Sequence, residues 1–287
     1  MHLLRADHDD DDDRPVESGG APVKLGRAIV ITSGKGGVGK TTTTANLGTA
    51  LAQRGARVAL VDADIGLRNL DIVLGLESRV KHHLLDVLEN VVSLDEALIP
   101  DKHTGNLVLL AAAQSREKDE VVTEKMRDLI RDLRERYDYV LIDCPAGIET
   151  GFKNAVAGAQ EAIVVCTPEV SAVRDVDRVV GLLGNAFKPQ LIVNRLRPQL
   201  VKKGKMLSVE DVNAILRLPL LGVLADEPEI IVTTNKGEPL ALHRENATGA
   251  AYHAIAARLA GEDVAAPTVA LKESFFGKLG SFLGGRR

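Results

Sequence analysis

The sequence predicts an α/β fold: a mostly parallel, twisted sheet with helices on both faces. Three observations predict it. Short, continuous apolar runs such as Ala28-Ile29-Val30-Ile31 and Tyr139-Val140-Leu141-Ile142 alternate with longer helical patterns, as expected of strands buried on both faces. Two of these runs end in aspartate, at Asp62 and Asp143, and the carboxyl ends of parallel strands face the crevice where ligands bind. The chain has 287 residues, 45% of them hydrophobic, enough for one sizeable core and not for two.

Taken in order, residues 1–26 are acidic, polar and Gly/Pro-bearing and read as a disordered extension. Residues 27–33 form the first strand. Gly34-Lys35-Gly36-Gly37-Val38-Gly39-Lys40-Thr41-Thr42 follows and leads into a helix from Thr42 to Arg54. This stretch fits G-x-x-x-x-G-K-[ST], a phosphate-binding loop, in the strand–loop–helix setting that the motif needs. The glycines free the backbone to turn its N–H groups toward phosphate oxygens. Lys40 is placed to reach the β- and γ-phosphates and Thr41 to hold Mg²⁺. The helix that follows aims its positive end at the same anion. Lys35 is not required by an ordinary phosphate loop. It cannot easily fold back onto the phosphates its own loop wraps, but it can reach the nucleotide of a second subunit.

The second strand, Arg57 to Val61, ends in Asp62-Ala63-Asp64-Ile65-Gly66-Leu67-Arg68-Asn69-Leu70-Asp71. Two aspartates at i and i+2 beside a phosphate loop suit Mg²⁺, its waters and an attacking water aligned with the γ-phosphate. Short helices are expected at 82–90 and 93–98, a strand at 106–111 and an amphipathic helix at 119–136. The strand at 137–143 ends in Asp143, as a Walker B strand does, with its carboxylate near the Mg²⁺. Gly147, after Cys144-Pro145-Ala146, is positioned to offer a backbone N–H to the γ-phosphate and so to sense ATP against ADP. A strand at 162–167, a helix at 170–187 and a strand at 191–195 come next. Ser208 and Asp211 form a capping box for a helix reaching Arg217. A strand at 218–224 closes the sheet. Residues 226–231 are expected to pass near the nucleotide, and a helix at 240–260 ends the body.

Residues 262–269 read as a linker to 270–287. At about 100° per residue, Leu271, Phe275, Phe276, Leu279, Phe282 and Leu283 share an arc of about 140°. Gly277 and Gly280 disfavour a core helix. Arg286 and Arg287 suit anionic lipid, and Lys272 can snorkel to it. The tail therefore reads as a membrane-targeting helix. Burial gain and ordering cost are comparable, so one tail binds marginally. Two tails on one dimer gain avidity of roughly 10²–10⁴.

Composition narrows the function. The net charge is −4, and the six aspartates Asp7 and Asp9 to Asp13 contribute −6 of it, leaving a near-neutral body. A strongly basic nucleic-acid-binding body is not indicated. Cys144 and Cys166 lack C-x-x-C spacing and read as buried thiols in a reducing cytosol. No 18-residue apolar run is present, so no membrane-spanning helix is expected. The acidic N-terminus has no signal-peptide pattern.

Lys35-Gly36-Gly37-Val38-Gly39-Lys40-Thr41 resembles the deviant Walker A loop of the MinD/ParA family of dimerising P-loop ATPases. Residues 62–71 and the tail are similar to its MinD branch; the ParA branch generally lacks the tail. The resemblance implies ATP and Mg²⁺ as cofactors and a homodimer formed on ATP. It assigns catalysis to Lys35, Lys40 and Asp64, with Lys35 crossing to the partner's ATP and Asp64 positioning the attacking water. Thr41, Asp62 and Asp143 serve the metal. Gly34 to Thr42, Gly147, Asn194 and Arg195 serve the nucleotide, with Asn194 reading adenine through its amide. The resemblance further implies peripheral binding at the inner face of the cell membrane. It also implies recruitment of the division inhibitor MinC, control by MinE or another topology factor, and placement of the division septum. No nucleic acid is expected as a partner. The competing reading is a ParA-like DNA-segregation ATPase, for which Lys202, Lys203 and Lys205 are the best argument. An iron–sulfur carrier of the same fold would need cysteines that this chain lacks.

Overall fold

A computed structural model describes residues 25–114, 123–148 and 150–265. The extension up to residue 24, the start of the helix expected at 119, Glu149 and the tail with its six apolar candidates lie outside the described residues. The sheet has eight strands: β1 (Arg27–Thr32), β2 (Val58–Asp62), β3 (Ile99–Pro100), β4 (Leu107–Leu110), β5 (Tyr139–Asp143), β6 (Glu161–Cys166), β7 (Gln190–Leu196) and β8 (Leu220–Ala225). Their spatial order is β3-β4-β2-β5-β1-β6-β7-β8. Every pairing is parallel except β3 with β4, a two-residue antiparallel edge that the sequence pattern does not announce. The expected fold class is thus the one observed. β1, β2 and β5 are almost wholly buried, which explains their unbroken apolar runs.

Helices cover both faces and divide the core into two apolar layers, one on each side of the sheet. α1 (Lys40–Ala52) is buried nearly all round. It lies between the sheet, α2 (Leu70–Leu74) and α11 (Ala247–Leu259), so it needs no polar face. α3 (Leu84–Leu88) and α4 (Leu94–Ala97) begin at the capping boxes His83–Asp86 and Ser93–Glu96. α5 (Thr123–Arg136) buries only Met126, Leu129, Ile130 and Leu133, one stripe of a charged surface helix. α6 (Thr150–Val156), α7 (Val170–Leu183), α8 (Pro198–Lys202), α9 (Val209–Leu216) and α10 (Glu229–Asn235) complete the set. The Ser208–Asp211 box opens α9, and Arg217 closes it in the left-handed conformation.

Residues 226–231 lead into α10, which packs against α2. The helix expected over 240–260 is split. Leu240–Leu242 form a 3₁₀ turn, and α11 starts at Ala247 because the Asn246 side chain accepts the N–H groups of Thr248 and Gly249. Contacts with the body are made as far out as residues 26 and 265. Gly26 N–H donates to the Arg134 carbonyl at 2.7 Å. Glu262 is paired with Arg54, and the Ala265 carbonyl is bonded by Arg258.

Candidate nucleotide and metal site

The carboxyl ends of β1, β2 and β5 converge on one crevice. β1 hands the chain to residues 34–39, and Gly39, at φ 100°, turns it into α1. Only glycine adopts that angle without strain. Lys40 is 7% exposed. Its ammonium donates to Ser33 Oγ at 3.1 Å, and that hydroxyl donates in turn to the Lys35 carbonyl at 2.8 Å. The lysine cation is therefore held folded over the loop. Gly34 is required for a packing reason, since a Cβ there would meet Asp175 of α7 at 2.3 Å.

Lys35 points the other way. Its ammonium reaches Glu169 Oε2 and Ser171 Oγ, both at 3.2 Å, at the start of α7. These two partners could not be read from local sequence, because they follow β6, far along the chain.

Asp62 and Asp143 are paired across β2 and β5 and are both buried. Asp62 accepts three backbone N–H groups: Asp64 at 3.0 Å, and Asn69 and Leu70 at 3.2 Å each. It therefore pins the whole turn that carries Asp64, a task not foreseen for it. Asp64 is half-buried beside it, and its carbonyl closes the turn by accepting the N–H groups of Leu67 and Arg68. Asp143 accepts hydrogen bonds from Thr41 and, at 3.3 Å, from Thr44, one turn further along α1. Gly147 has φ 91°, again a glycine conformation, and ends the described part of the loop after β5 at Ile148.

Burial pushes both carboxyls up, Asp62 to about 8 and Asp143 to about 7. For Asp62 the Asp143 charge adds to the effect; for Asp143 the Thr41 hydroxyl and the Lys40 cation oppose it. Two buried carboxylates, one of them bonded by threonine hydroxyls, form a hard-oxygen site short of positive charge, which fits Mg²⁺. The sign of the pH effect follows. In the metal-free fold these groups hold protons that the unfolded chain releases near 3.8. Their contribution to stability is present in full below that value and is lost as pH rises through about 7 and 8. Thermal unfolding in EDTA should show a melting temperature that drops by several degrees between pH 5 and pH 9, with Mg²⁺ and nucleotide restoring it at the alkaline end. A midpoint that climbs with pH in EDTA would contradict this electrostatic account.

Asn194, expected to serve the base, lies against the phosphate loop. Its Nδ2 donates to the Val38 carbonyl at 2.8 Å, and its Oδ1 accepts the Arg195 N–H at 2.9 Å. In this structure the amide is engaged by the backbone of its own chain. Arg195 is exposed and takes φ 56°.

Comparison with known proteins agrees with this geometry. A family model described as an AAA domain matches residues 26–192. The chain is 56% identical over 243 residues to the septum site-determining protein MinD of Synechocystis sp., covering 84% of this chain and 91% of that one. It is 51% identical over 269 residues to the Bacillus subtilis MinD, covering 91% of this chain and all of the relative. The chain belongs to the septum site-determining MinD family. It is an ATPase of the division-site type. Among solved structures, a MinC:MinD cell division protein complex from Aquifex aeolicus has a TM-score of 0.80 at 46% identity, covering 85% of this chain and 100% of that one. A MinD from Pyrococcus horikoshii, complexed with Mg-ADP, has a TM-score of 0.74 at 33% identity, covering 82% and 96%. A ParA family ATPase from Chlorobium tepidum, at 19% identity and a TM-score of 0.68, shares the fold alone. Among the described residues, no helix is long and apolar enough to cross a membrane.

Proposed function

We propose that this MinD-family ATPase dimerises on ATP, binds the inner face of the cell membrane through residues 270–287, and recruits a division inhibitor to place the septum. Its substrate is ATP and its metal is Mg²⁺, which when bound supplies charge neutralisation at the β- and γ-phosphate oxygens. The chain's own residues do the rest. The N–H groups of residues 34–42 cradle the phosphates, and Lys40, already folded over the loop, exchanges Ser33 for phosphate oxygen. Asp143 and Thr41, with Asp62 behind them, hold the metal. Asp62 fixes the turn that carries Asp64, and Asp64 orients the attacking water. Gly147 offers its N–H to the γ-phosphate.

The observation that carries the dimer is the direction of Lys35. Its side chain is 37% exposed, and its ammonium lies on Glu169 and Ser171 at the start of α7, whereas the Lys40 ammonium lies on Ser33. From there it serves the nucleotide of a second copy better than its own. The inhibitor is MinC by analogy with the Aquifex complex, and MinE or another topology factor controls hydrolysis by family resemblance. The domain plan is an acidic extension, an ATPase body, a short linker and a membrane-targeting helix.

Phe282→Glu tests the membrane arm. A charge placed in the apolar arc should cut pelleting with anionic liposomes at least tenfold, because burying a carboxylate at the interface offsets the gain from one phenylalanine. ATP binding should be unchanged. Wild-type pelleting by this variant would remove the tail from the account.

A further inference from the structure

Asn194 is 5% exposed and lies on the phosphate loop from the β7 side. The strand is distorted to put it there. The β7–β8 register slips between Val193 and Leu196, and Arg195 takes the left-handed conformation at φ 56°. Non-glycine residues rarely accept that conformation, and where they do the surroundings hold them in it. Here the Arg195 N–H is held by Asn194 Oδ1 at 2.9 Å, which leaves Nδ2 facing the loop and bonded to the Val38 carbonyl at 2.8 Å. Gly39 packs as closely, since a Cβ on it would lie 2.4 Å from Nδ2.

The contact has a directional consequence. The Val38–Gly39 peptide unit is planar and trans, so its C=O and N–H point in opposite directions. Holding the Val38 carbonyl toward β7 turns the Gly39 N–H away from β7. We propose that Asn194 is a positioning residue for the phosphate loop, orienting the Gly39 N–H toward the triphosphate independently of the base. The proposal rests on the ATP-site reading above. It differs from a base-reading role in what it predicts for a ligand that has no base.

The test is calorimetric titration of the nucleotide-free full chain with Mg·ATP and, separately, with Mg·tripolyphosphate, for wild type, Asn194→Ala and Asn194→Leu. Leucine keeps the branched shape without a donor, so the comparison survives if the alanine variant packs poorly. Thermal unfolding verifies that each variant is folded. A single lost hydrogen bond to the loop should weaken both ligands by the same factor, roughly fivefold to tenfold. KM for ATP should rise by that factor with kcat nearly unchanged, as for a contact made equally in ground and transition states. Weakened ATP with tripolyphosphate unaffected would make Asn194 a base reader only, and unchanged affinity for both would remove the brace. If wild-type protein binds neither ligand, the ATP-site reading fails and this residue's role fails with it.

Discussion

Lys40→Ala should abolish nucleotide binding at micromolar protein. The ammonium is the cation that the structure holds over the phosphate loop, with Ser33 as its partner. Removing it takes away a charge-assisted contact to the phosphates worth about 3 kcal/mol, on the order of a hundredfold in affinity. The effect on the fold should be small, because the side chain is not part of the apolar layers and Ser33 keeps its bond to the Lys35 carbonyl. Equilibrium titration with a fluorescent ATP analogue measures it, with the melting temperature recorded alongside. Wild-type affinity in a folded variant would mean that the phosphates lie elsewhere.

Asp64→Ala should leave ATP binding nearly intact and lower turnover by roughly 10²–10³, the range for losing a group that positions or deprotonates an attacking nucleophile. Asp64 lies in the turn that follows β2. That turn is closed by Asp64 backbone atoms and by the Asp62 carboxylate, so alanine keeps the geometry. ATP should then accumulate on a long-lived dimer. Phosphate release and size-exclusion chromatography with ATP are the two readouts. Undiminished phosphate release would take Asp64 out of catalysis.

Much of the fold was legible because it is written in short-range signals. The apolar runs of β1, β2 and β5, the phosphate-loop glycines and the Ser208 capping box each act within a few residues. What was missed depends on long-range packing. The split before α11 turns on the Asn246 cap, hidden in a stretch of good helix formers. α10 has no strong cap and exists because its neighbours α2 and the 240–242 turn receive it. In the site, Lys40, Thr41, Asp62 and Asp143 could be named from motifs, and the strand ends bring them together. Their partners could not be named. Glu169 and Ser171 lie more than 130 residues from Lys35, and Asn194 meets Val38 across 156 residues. Thr44 had a usable signal: it sits one helical turn beyond Thr41, on the face that meets Asp143.

The central claim is that ATP switches the protein onto a membrane, and co-sedimentation with anionic liposomes tests it most directly. Full-length chain should pellet with ATP and remain in solution with ADP or without nucleotide. Removal of residues 270–287 should abolish pelleting in every state. Absence of pelleting with ATP, or equal pelleting in all three states, would contradict the account.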